Sequence, residues 1–171
     1  MLLRHIIVMQ SNNDKERQFI EMLDQYKSVI AKVCCIYVSP IADFDDLYQE
    51  TVINLWNGFD KFRGEAKIST WIYRAAINTC ITWVRKNKKH SNRELIDKDM
   101  AITADESTKL EDYRTLHNLI SRLEPLEKAI VTLWLDEKSY DEIASITGLT
   151  HSNVAVKLHR IKEKMSKMTD L

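Results

Sequence analysis

Three glycines and two prolines are spread over 171 residues, too few to supply the tight turns that β-hairpins require. A sheet-built fold is excluded on that ground, and the chain reads as all-α. No uninterrupted apolar run of about 18 residues occurs, so no segment is written as a membrane span. The opening run from Leu2 to Met9 has a shorter apolar core than a signal peptide and no small-residue cleavage site behind it. The expectation is a cytoplasmic protein without membrane insertion. Cysteine is scarce too: Cys34 and Cys35 are neighbours and Cys80 is alone, which is no disulfide framework, and buried reduced thiols are expected. Neighbouring side chains on a helix diverge by roughly 100°. With no C-x-x-C or H-x3-H spacing present, a metal site is not expected. A Gly-rich phosphate loop, a nucleophile elbow and a paired His/Glu spacing are all missing. The chain is therefore read as no enzyme, with no cofactor and no small-molecule substrate.

Net charge of one sign is also lacking, since 25 Lys and Arg balance 25 Asp and Glu. A protein that merely coats nucleic acid would carry a large positive excess. The distribution is far from even. Between Arg63 and Arg93 the cations Arg63, Lys67, Arg74, Arg85, Lys86, Lys88, Lys89 and Arg93 face only Glu65. The sign reverses from Glu94 to Asp112, and the C-terminal segment is basic again through Lys157, Arg160, Lys162, Lys164 and Lys167. Two basic surfaces joined by an acidic connector are implied.

Apolar residues recur at three- and four-residue steps from Asp14 to Tyr37, predicting a helix that Pro40 ends. A second helix is predicted from near Asp43, a suitable N-cap, through Leu47, Leu55 and Trp56 to a stop bracketed by Gly58 and Gly64. A third, capped by Ser69 or Thr70, carries Trp71, Ile72, Ala76 and Trp83 into the basic cluster. The polar stretch 88–111 has no sustained period and reads as a linker, flexible when free. Periodicity resumes at Leu116. Two short helices on either side of Pro125 precede a helix, a turn at Gly148 and a final helix from Thr150 to Met168.

That last unit has the makings of a DNA-reading helix-turn-helix. Ala144 lets two helices approach, Gly148 tolerates a left-handed turn and Thr150 can cap the second helix. Val154, Leu158 and Ile161 face inward at i, i+4 and i+7. His151, Ser152, Ala155, Lys157, His159 and Arg160 are left on or near the outer side, available to a major groove. An ordinary helical hairpin with a solvated basic face is the bland alternative.

The first half adds Asp43-Phe44-Asp45-Asp46-Leu47-Tyr48-Gln49-Glu50, then Leu55-Trp56, Phe62-Arg63-Gly64 and Ser69-Thr70-Trp71-Ile72-Tyr73-Arg74. These runs resemble region 2 of the extracytoplasmic-function sigma factors of bacterial RNA polymerase. Leu123-Glu124-Pro125-Leu126 and the stretch from Ser139-Tyr140-Asp141-Glu142-Ile143-Ala144 to Arg160 resemble their region 4. Together the similarity covers about Glu16 to about Lys167.

The resemblance implies two small helical domains, region 2 over 14–90 and a strandless, winged-helix-like region 4 over 113–168, joined by an acidic linker over 91–112. It implies that Asp46, Gln49 and Glu50 dock on clamp helices of the polymerase largest subunit. Arg63, Lys67, Arg74, Arg85, Lys86, Lys88 and Lys89 would hold the minus-ten promoter element, and Asn78 would capture a flipped base. His151, Ser152, Asn153, Ala155, Val156, Lys157, His159 and Arg160 would meet the minus-thirty-five element. An anti-sigma protein is the implied off-state partner. Read alone, the acidic face is also what a solvated helix presents, Asn78 also suits a plain helix surface, and Trp71 suits a core better than a base stack. The family often has a basic residue where Ala155 stands and a small hydroxyl at Val156, which weakens an arginine-to-guanine reading there and favours contact with a thymine methyl or shape readout. A stand-alone helix-turn-helix regulator is the runner-up and would need a dimer interface. A helical adaptor protein is a further alternative.

Overall fold

The computed structural model describes the backbone of residues 2–90 and 108–169 and the side chains of residues 14–87 and 115–169. Among the described residues there are seven helices and no strand. They are α1 (Leu2–Tyr37), α2 (Phe44–Phe59), α3 (Ile68–His90), α4 (Thr108–Ser121), α5 (Pro125–Leu135), α6 (Tyr140–Thr147) and α7 (His151–Thr169).

The first three helices pack on one another. Their shared core is written at helical spacing: Phe19, Ile30, Val33 and Tyr37 on α1, Leu47, Thr51 and Leu55 on α2, and Ile72, Ala76, Ile77 and Cys80 on α3. Each fully buried leucine or isoleucine contributes about 1.5–3 kcal/mol. The buried Thr51 hydroxyl donates to the Leu47 carbonyl at 2.8 Å, so it leaves no orphan donor. The edge of this core is aromatic, with Phe19 set edge-on to Trp56 and Phe59 at 5.0 and 5.4 Å. Between α1 and α2, Ser39 and Ala42 exchange both backbone hydrogen bonds at 3.0 Å around Pro40.

Asp43 caps α2 as expected, accepting the Asp45 N–H at 2.8 Å. The third helix begins earlier than expected. Ile68 already has helical geometry, so Ser69 and Thr70 lie in the first turn and neither is its cap. The first helix also starts well before Asp14, at Leu2. Cys34 and Cys80 are buried free thiols, whereas Cys35 is exposed. The Cys34 thiol beside Cys80, together with burial, pushes the Cys80 pKa far up and keeps it protonated.

The second unit is α4 to α7. Pro125 occupies the first turn of α5, where its missing N–H costs nothing. Glu127 returns to accept the Glu124 N–H at 3.1 Å. Burial raises the Glu127 pKa, but the Lys164 ammonium at 2.7 Å and that N–H outweigh it and hold the carboxyl below its ordinary value. The helix-turn-helix is closed by local chemistry at both ends. Ser139 Oγ accepts the Glu142 N–H at 3.2 Å and Glu142 Oε2 accepts the Ser139 N–H at 3.0 Å, a reciprocal cap. Gly148 ends α6 at φ 76°, where any side chain would be strained. Thr150 Oγ1 accepts the Asn153 N–H at 3.3 Å to open α7. Ile143, Ile146, Val154, Leu158 and Ile161 form the core between α6 and α7.

The two units touch. Tyr37 donates its hydroxyl hydrogen to the Pro125 carbonyl at 2.8 Å, and Tyr73 donates to Asp136 at 2.8 Å. Lys32 also reaches Asp136, at 2.6 Å. Burial pushes the Tyr37 and Tyr73 hydroxyls well above the ordinary tyrosine pKa, and for Tyr73 the Asp136 carboxylate adds to it. Helix α6 lies against α3, with Arg74 donating to the Ser145 carbonyl and Lys67 3.7 Å from Glu142.

Candidate nucleic-acid interface

Three surfaces carry the residues singled out from sequence. On α2, Asp46 and Gln49 are exposed and Glu50 half-buried, and their spacing of three and four residues sets them along one stripe. The stripe continues one turn further to Ile53, which is 50% exposed. Ile53 is not marked as a surface residue by the sequence, because an isoleucine at helical spacing counts towards a core.

On α3, Arg74, Asn78, Arg85 and Lys86 are all exposed, and steps of four, seven and eight residues keep them near one face. Asn78 and Lys86 line a notch of about 400 Å³ shared with Glu50 and Asn54 of α2 and with Trp83. The helix spacing thus brings the end of the acidic stripe and the middle of the basic stripe to the two walls of one recess. Asn54 donates to Thr79 Oγ1 at 3.1 Å, which fixes one wall. Trp83 has a buried indole N–H without a protein partner. Asn54 is not marked by any sequence pattern, and Trp83 is marked only as a residue of the third helix, since each meets the recess through tertiary packing.

Arg63 lines a second hollow of about 530 Å³ around the α2–α3 loop, with Lys61, Phe62, Trp71 and Arg74. Phe62 and Trp71 rings lie 5.2 Å apart, and a Cβ on Gly58 would stand 3.2 Å from the Trp71 ring. Glycine there lets the indole lie close against α2. Trp71 is thus a partly buried packing residue beside cations. Tyr73 is buried and turned to Asp136, so it is not exposed for base stacking. Lys67 is exposed near Glu142. The side chains of Lys88 and Lys89, and the linker over 91–107, lie outside the described residues. The last residues of the expected connector over 91–112 are helical, because α4 already begins at Thr108.

The third surface is α7. Ser152, Asn153, Val156, His159 and Arg160 are exposed and recur at three- and four-residue steps. His151 is exposed at the helix start with its ring 5.5 Å from that of Tyr140, and His159 lies 3.8 Å from Glu163. Ala155 and Lys157 are half-buried flanking positions. The outward centre of the helix is therefore one residue further along than the reading that stressed Ala155. Side chains at adjacent positions differ by about 100°, and the inward anchors Val154, Leu158 and Ile161 put Val156 outermost.

Two segments of the chain match known family models. Residues 22–90 match the family model for sigma-70 region 2, and residues 113–165 match that for sigma-70 region 4. The chain is 33% identical to RNA polymerase sigma factor YlaC of Bacillus subtilis over 130 residues, which is 71% of this chain and 75% of that protein. It belongs to the extracytoplasmic-function sigma factors of the sigma-70 family. Over 98% of this chain and 96% of the relative, it is 26% identical to the ECF sigma factor SigW of the same species. The fold is similar to that of sigma factor RpoE of Bartonella quintana, solved with the anti-sigma factor NepR, at TM-score 0.74 and 17% identity over 91% of this chain and 98% of that one. It is also similar to CnrH, solved with the cytosolic domain of CnrY, at TM-score 0.65 and 20% identity over 96% of both chains. Among the described residues, no helix of this sigma factor is long and apolar enough to cross a membrane.

Proposed function

We propose that this sigma factor binds core RNA polymerase through the α2 stripe of Asp46, Gln49 and Glu50 and grips promoter DNA through α3 and α7. The carrying observation is the arrangement of the exposed side chains: an acidic, amide-bearing stripe on α2, a basic stripe on α3 and a polar stripe on α7. An acid–amide face is complementary to arginines, which bind carboxylates in bidentate fashion. Arg63, Lys67, Arg74, Arg85, Lys86, Lys88 and Lys89 supply phosphate contacts at the minus-ten element, and such contacts position the duplex without reading it. Opening the duplex costs stacking, which each extruded base must regain in a pocket. Asn78 at the rim of the α2–α3 notch supports base capture, because an amide both donates and accepts.

In this reading the residues of 14–90 engage polymerase and the minus-ten element, those of 113–168 engage the minus-thirty-five element, and 91–112 connects them. His151, Ser152, Asn153, Ala155, Val156, Lys157, His159 and Arg160 form the minus-thirty-five face. The sigma factor works in the cytoplasm and catalyses nothing itself. An anti-sigma protein is its off-state partner, a reading supported by the complex in which the similar RpoE was solved. A stand-alone regulator leaves the α2 stripe without a use and is not favoured by a chain that matches both sigma regions.

The test is the affinity of the Asp46→Ala, Gln49→Ala double variant for core polymerase. Both side chains are exposed, so the fold should be spared and its melting temperature unchanged. Affinity should fall at least tenfold, since two buried polar contacts are lost. Undiminished affinity would move the docking face elsewhere.

A further inference from the structure

The α7 face contains an anomaly for a surface that meets a polar groove. Val156 is 50% exposed and is the large apolar side chain left open on that helix. One turn before it stand Ser152 and Asn153, and one turn after it His159 and Arg160, all exposed. An isopropyl group at the centre of a polar ring can neither donate nor accept a hydrogen bond. Against guanine, adenine or cytosine in the major groove it would strip water from N7, O6, N6 or N4 without replacing it. The C5-methyl of thymine is the one apolar group that a base presents there.

Resting on the sigma-factor reading above, we infer that Val156 is a specificity-determining residue that selects a thymine in the minus-thirty-five element through its C5-methyl group. The position suits the task. Val156 stands in the second turn of α7, and recognition helices read base edges with their N-terminal residues. Its β-branched side chain holds essentially one rotamer in a helix, so little freedom is lost on contact. Its inward neighbours Val154 and Leu158 are fully buried, which fixes the orientation of the helix. The exposed Ser152, Asn153, His159 and Arg160 are then placed to meet polar edges and phosphates around that base.

The experiment uses the reconstituted holoenzyme and a promoter that it transcribes. Each minus-thirty-five thymine is replaced in turn by deoxyuridine, which removes the methyl and nothing else, and closed-complex affinity is measured for wild type and for Val156→Ala. One position should cost wild type about fourfold, the worth of one buried methyl. At that position the variant should bind thymine and deoxyuridine alike, while both proteins respond equally elsewhere. Val156→Thr, nearly the same shape, should fall between the two. The side chain is exposed, and equal melting temperatures would exclude a folding defect. Promoter binding without a Val156-dependent methyl effect at any position would overturn this inference alone. Absence of promoter-specific binding by the holoenzyme would overturn the sigma-factor reading and this inference with it.

Discussion

Asn78 stands exposed on α3 at the rim of a notch whose other wall is α2. A surface amide there adds nothing evident to the core, so its worth should be visible only when a base is extruded. Asn78→Ala is expected to slow promoter opening about tenfold, the effect of one or two lost hydrogen bonds, and to leave closed-complex affinity unchanged. Permanganate reactivity of unpaired thymines against time, beside a closed-complex binding assay, checks it; equal losses in both steps would contradict base capture. Other residues were legible only by type. Tyr73 and Asp136 are placed opposite one another by tertiary packing, and no local pattern pairs positions that far apart in sequence. Val156 was legible as an odd residue. Its place at the outward centre of α7 depended on which neighbours the core takes.

At the scale of elements, the helix-turn-helix was the most readable part, because its stops are written locally. Ser139, Glu142, Gly148 and Thr150 each act within a few residues of their own position. Ser139→Ala removes the acceptor for the Glu142 N–H and should cost about 1 kcal/mol, seen as a lower urea midpoint of an otherwise unchanged unfolding curve. An unaltered midpoint would mean that water replaces the cap fully. The starts of α1 and α4 were less readable. The largely apolar run from Leu2 to Met9 is separated from the periodic stretch after Asp14 by the polar residues Gln10 to Asn13, and the polar composition of 108–112 is the same as that of a linker, yet both segments are helical. Ile68 begins α3 ahead of two good capping residues, which shows propensity giving way to packing.

At the scale of the molecule, polar contacts among the described residues join the two helical units alongside apolar packing, and Asp136 takes part in two of them. It accepts from Tyr73 and pairs with Lys32. The Lys32 side chain is half exposed, so that pair is worth little. The buried Tyr73 bond is worth about 1.5–3 kcal/mol because its acceptor is charged. The same arrangement engages Arg74 with the Ser145 carbonyl and Lys67 with Glu142, so under the proposed minus-ten role these contacts with α6 compete with phosphate for two cations. Asp136→Ala should therefore raise the separated population by about ten- to a hundredfold. Energy transfer between dyes on the two units should drop, and Tyr73→Phe should reproduce most of the effect. Unchanged transfer in both variants would mean that apolar packing alone holds the units.

This chain, as a sigma factor, gives core RNA polymerase its promoter specificity. Purified core enzyme lacking any sigma subunit, mixed with the protein and a pool of genomic promoter fragments, tests it directly by sequencing the transcript starts. Binding to core is expected, with transcripts from a small set of starts that share two upstream elements, absent when the protein is omitted. Failure to bind core, with no new starts, would contradict it.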